Sequence, residues 1–432
     1  MSARNALLVS MTEDVAHACL ANNYAQTLAL SLAERRGAGG TSDVVHLMQE
    51  LERRGLLHRD LEALPDDAAL EERAAAGTGL TRPELAVLMS YAKIALSYDL
   101  IESSVPDDTA VSDELADYFP PALQKDFASD IAAHPLRREI ITTALANRMI
   151  NLGGFDLPVR LASDWDLDAV GVAHAIIIAA QVTGTAALFD AISSEDNRIG
   201  GEVQLALHAM AQQQMRAWSA WLGAQMRTMP PLAEAIQRHK HTFNTLGQSL
   251  NLWLSEERIA DYEGQIAELK SKGAPDALAT ALARAAVLAE AGDICVVADA
   301  VSAAEEGLPN ASDNLFETAR TYVAIGDTLR LSDLKQRESS VPAADRFDRL
   351  AINSAVVSIG NSHRTMTRAA IASGSGNSSA GSALAAWSDS GPDGPLPRTA
   401  RRLSELVDSG PLTVARLTVA AAQVRDLADS LT

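Results

Sequence analysis

The chain has 432 residues, is 47% hydrophobic but only 4% aromatic, and sets 36 basic against 56 acidic side chains for a formal charge of −20. That length exceeds one ordinary core and calls for at least two packed units, and an apolar content carried by Ala and Leu favours helix over strand. The acidic balance argues against nucleic acid, whose phosphates need clustered Lys and Arg, and the six lysines (Lys93, Lys125, Lys240, Lys270, Lys272 and Lys335) form no polybasic membrane anchor.

Met1–Ser10 lacks a basic segment followed by an apolar run, and no stretch approaches the ~20 uninterrupted apolar residues that span a bilayer. Neither membrane nor nucleic acid is expected as a partner. Cys19 and Cys295 lie far apart and belong to no CxxC or Cys/His ligand pattern, which fits a reducing cytoplasm.

Helix signals follow along the chain. Thr81-Arg82-Pro83-Glu84 reads as a capping box with proline in the first turn. Beyond it Leu85, Leu88, Met89, Ala92, Ala95 and Leu96 recur at three- and four-residue steps, the stripe of an amphipathic helix. Pro106, Pro120-Pro121, Pro135 and Gly153-Gly154 punctuate short helices, the clearest opening at His134-Pro135 and closing at the glycine pair. Ala173–Val182 is the longest apolar run, interrupted by His174 and Gln181, and reads as a buried core helix.

Asn197–Leu222 is amphipathic and is stopped by Pro230-Pro231. Leu232–Ala291 carries more charge and suggests a long hairpin or coiled-coil-like pair, for example over Leu250–Lys270. Further helices are expected around Pro275–Ala291, Asn314–Ile325, Ala343–Ser358 and Leu412–Leu431, with a flexible Gly/Ser/Pro loop around 373–397. The expected fold class is all-α, with multi-helix orthogonal and hairpin packing in two helical subdomains, 1–228 and 229–432.

Three blocks carry a family resemblance: Asn22–Arg36, Leu47–Leu57 and Gly79–Leu88. In this order and spacing they resemble the C-terminal helical region of the large bacterial NAD-specific glutamate dehydrogenases. Tyr118–Leu123, His134–Ile141, Leu145–Met149 and Asp196–Arg198 with Val203–Leu207 continue the resemblance. Tyr322–Gly326, Asp345–Ala351 and Ala415–Leu427 are weaker echoes, and Met1–Thr12 is similar to the segment that follows the family's catalytic domain. The family's chain is several times longer, so this one corresponds to the part downstream of catalysis.

The resemblance implies a parent reaction, L-glutamate, NAD and water going to 2-oxoglutarate, ammonia and NADH. It assigns this chain a supporting role in domain packing, assembly or regulation. The implied partner is the catalytic part of glutamate dehydrogenase, in the same or a separate chain, with a homo-oligomer as a further possibility. The alternative is a free-standing helical protein–protein interaction adaptor.

The residues themselves assign no catalytic, cofactor-binding or metal site. Dinucleotide binding needs a glycine-rich turn between strand and helix. Gly374-Ser375-Gly376-Asn377-Ser378-Ser379 begins like one, but follows a helical pattern and has Ser at the third glycine. NAD is therefore expected to belong to the parent enzyme and not to be bound by this chain. Glutamate oxidation needs a lysine of lowered pKa with an acid nearby, and no lysine here sits in the family's glycine-rich catalytic motif. HExxH, Walker and GxSxG patterns are missing.

His239 and His241 are two residues apart and diverge on a helix, so a solvated basic turn is expected in place of a metal pair. His17, His134 and His174 read as satisfied or partly buried. Asn22-Asn23-Tyr24 and Asn147-Arg148 interrupt apolar helical runs, either as internal packing and capping or as an interface with a catalytic domain. Trp218 and Trp221 fit core filling, or interface anchoring.

Overall fold

The computed structural model describes residues 3–304, 311–337, 341, 343, 346–374, 380–389, 391 and 393–431. Every regular element among them is a helix, so the all-α expectation holds. The chain forms two compact units, one from residues 1–237 with 270–278, the other from 238–269 with 279–432.

The first unit is organised by the capping box. The Thr81 amide donates to the Glu84 carboxylate at 2.7 Å, and Arg73 holds the same carboxylate at 2.8 Å. Pro83 lies within the first turn of the helix Arg82–Ile101, where a missing N–H leaves no hydrogen bond unmade. Leu85, Leu88, Met89, Ala92, Ala95 and Leu96 are all buried, and this face packs against the helix Arg137–Gly153. That second helix starts at Arg137, two residues beyond Pro135, because the His134 ring accepts the Leu136 amide and holds a turn first. It ends at Gly153, followed by Gly154 at φ 91°.

The helix Ala169–Thr183 contains the expected core run, with Ala173, Ala175, Ile176, Ile178 and Val182 buried against the helix Gly201–Gln225. Each of the Ile and Val side chains contributes about 1.5–3 kcal/mol by leaving water. No single helix among the described residues is long and apolar enough to cross a membrane.

Trp218 is 3% exposed, so core filling describes it, and it meets the partly buried Trp221 edge to face at 5.6 Å. One turn further on, Gly223 lies so close to Trp165 that a Cβ there would sit 2.5 Å from the indole Cδ1. Gly223→Ala is therefore expected to lower the stability of this unit by about 1–3 kcal/mol through overpacking. Denaturant unfolding checks this, and an unchanged midpoint would show that the indole swings away freely.

In the second unit the 29-residue helix Arg346–Gly374 is the axis. It lies along Val414–Leu431 and also packs on Ala380–Ser388, Ala311–Thr328 and Ala291–Ala304. Ile325, Leu329, Ile359, Met366, Leu417 and Val424 form part of its core. The pattern expected over Leu250–Lys270 is divided: Leu250–Leu252 is a 3-10 turn, and a helix runs over Glu256–Ser271. Within the expected 373–397 loop, residues 375–379, 390 and 392 lie outside the described residues. The described remainder contains the helix Ala380–Ser388 and the start of Pro395–Asp408, so this stretch is more helical than its Gly/Ser/Pro content suggests. Packing of the Ala380–Ser388 helix on the long axis helix supplies what local propensity lacks.

Candidate functional site

Each unit encloses a cluster of charges that composition did not announce. In the second unit it is built around Asp293, 5% exposed, on the helix Ala291–Ala304. The fully buried Tyr322, on Ala311–Thr328, donates its hydroxyl to Asp293 Oδ2 at 2.6 Å. Lys335, on Leu331–Arg337, donates to the Tyr322 hydroxyl at 2.7 Å and reaches Asp293 at 3.3 Å and Glu290 at 3.4 Å. Arg364, from the axis helix, closes the cluster with an ion pair to the other oxygen of Asp293. Four helices thus converge on one carboxylate.

Electrostatics fix the protonation of this cluster. Burial, with Asp293 and Glu290 alongside, pushes the Tyr322 phenol well above its ordinary range, so it stays a donor. His363 stacks on the Tyr322 ring at 3.6 Å between centroids, and its Nε2 lies 2.7 Å from the Tyr322 carbonyl, an acceptor, so that nitrogen carries the proton. Burial, reinforced by Lys335, holds this imidazole well below its usual range and therefore neutral. At the partly exposed rim, Arg258 pairs with Asp327 at 2.5 Å and lies 3.9 Å from Glu290. The charged groups here engage one another, a chemistry that fixes helix positions, while His363 Nδ1 has no hydrogen-bond partner among the described residues.

The first unit's cluster surrounds Asp156, 2% exposed, just past the Gly153-Gly154 terminus. Arg36 binds it at 2.7 Å and Arg216 at 2.6 and 3.1 Å. Arg216 also donates to the Gly153 carbonyl at 2.7 Å, while Gln212 satisfies Leu152 at 2.9 Å. Arg36 extends the cluster to Asp43 at 2.5 Å, and Arg160 lies 3.7 Å from that same carboxylate. Although burial opposes ionisation, the two guanidiniums outweigh it and hold Asp156 far below the usual carboxylate range.

Other polar residues separate by burial. His239 is 1% exposed, and burial with the charge of Arg238 lowers its pKa to about 4, whereas His241 is exposed. The two rings thus stand on different sides of the helix, and the solvated basic turn expected there is half buried. No group of three or more His, Cys, Asp or Glu suited to a metal occurs among the described residues. Arg148 pairs with Glu114 at 2.5 Å and Asn147 donates to the Thr143 carbonyl at 3.0 Å, the internal reading of that pair. Asn22 and Asn23 are exposed, and Tyr24 is 40% exposed, so packing inside this chain does not account for them.

Lys93 is the lysine whose pKa is lowered most clearly, to about 8, and burial alone causes it. Its ammonium has no hydrogen-bond partner among the described residues.

Comparison with known proteins places these features in a family. The family described as "Glutamate dehydrogenase, C-terminal" matches residues 77–426. The NAD-specific glutamate dehydrogenase of Pseudomonas aeruginosa is 33% identical over 348 residues, 81% of this chain and 21% of that protein. The protein of the same name from Halomonas elongata is 33% identical over 285 residues, 66% of this chain and 18% of its own length. That of Mycobacterium tuberculosis is 30% identical over 430 residues, 98% of this chain and 25% of its own. The chain thus spans a quarter or less of the relatives it matches, and it belongs to the glutamate dehydrogenase C-terminal family.

Proposed function

We propose that this chain is the helical supporting part of an NAD-specific glutamate dehydrogenase, acting in the packing, assembly or regulation of a catalytic part that deaminates L-glutamate oxidatively. The observation that carries the reading is the family match across residues 77–426, joined to buried charges that are engaged with one another. Regular structure among the described residues is helical, which does not fit the strand-to-helix glycine turn that holds a dinucleotide pyrophosphate. Residues 375–379, where the nearest glycine pattern lies, fall outside the described residues. On this reading NAD and glutamate are handled by the catalytic part.

The test is glutamate-dependent NAD reduction by the purified chain, alone and after recovery with its partners from source-cell extract. No turnover alone, and turnover when a dehydrogenase polypeptide accompanies it, is expected. Turnover by the pure chain would overturn the proposal. Stable association with an unrelated protein, and none with a dehydrogenase, would favour the adaptor reading instead.

A further inference from the structure

We draw no further inference here: the strongest candidate, the surface patch beside the short helices Asp113–Asp117, Pro121–Asp126 and Ala128–Ala132 where Tyr118, Phe127 and Leu136 are exposed, carries none because nothing in the structure shows what covers it.

Discussion

Asp293→Ala is expected to destabilise the second unit by about 3–5 kcal/mol, the range for removing one partner from a buried charge cluster. Asp293 is 5% exposed and neutralises two cations at once, Arg364 and Lys335, while accepting the Tyr322 hydroxyl. Without the carboxylate the buried Arg364 loses its ion-pair partner and Lys335 keeps only the Glu290 carboxylate at 3.4 Å, in a medium that screens poorly. The loss is a large fraction of the ~5–15 kcal/mol that holds a typical domain folded. Tyr322→Phe removes one hydroxyl and keeps the charges paired, so a smaller loss of about 1–3 kcal/mol is expected. Replacing Asp293, Arg364 and Lys335 together by Leu, Met and Met should recover much of the stability, because the buried Asp293–Arg364 pair is removed as a unit and Glu290 keeps Arg258 at 3.9 Å.

Denaturant unfolding, with hydrogen exchange followed in Ala291–Ala304 and Arg346–Gly374, distinguishes these cases. A shift below about 1 kcal/mol for Asp293→Ala, at unchanged denaturant dependence, would mean that the cluster does not hold the four helices together.

Much of the fold was legible because its signals are local. Thr81, Pro83 and Glu84 mark a helix start by hydrogen-bond chemistry confined to one turn, and the stripe from Leu85 to Leu96 needs only the 3.6-residue period to be read as a buried face. The charge clusters were not legible, since their members are far apart in sequence. Arg36, Asp156 and Arg216 span 180 residues, and no spacing rule joins them. A weaker signal was available: Asp293 lies among apolar residues from Ala291 to Val297, and His363-Arg364 interrupts the core stripe between Ile359 and Met366. A charge on a core-facing position demands a buried partner, although the sequence does not say which one. The first helix is a related case: Ala29 and Leu32 are covered by this chain and Leu8 and Val15 are not, a difference that the sequence does not mark.

Asp156→Asn is expected to cost the first unit about 3–5 kcal/mol at neutral pH, because Arg216 then loses its carboxylate and Arg36 keeps only Asp43. Its pH dependence identifies the cause. Because the folded carboxylate is held far below its unfolded value of about 3.9, its contribution is complete above that value and is lost only as pH falls towards the folded pKa. The difference between wild type and Asp156→Asn should therefore stay constant from pH 7 to about 5 and narrow only below about 4.

A second titration runs beneath it in both proteins. His208 is completely buried, and burial lowers its pKa from 6.5 to about 4. Between those values the unfolded chain takes up a proton that the folded chain refuses, so stability declines as pH falls through this window. That decline should be the same with and without Asp156, and His208→Leu should lessen it, leaving the share of the half-buried His174 and the buried His239 and His363, while the Asp156 difference stays in place. Guanidinium titrations of the three proteins at pH 7, 5 and 3.5 make the comparison. A wild-type to Asp156→Asn difference that shrinks already between pH 7 and 5 would show that Asp156 is not the ionised hub binding Arg36 to Arg216.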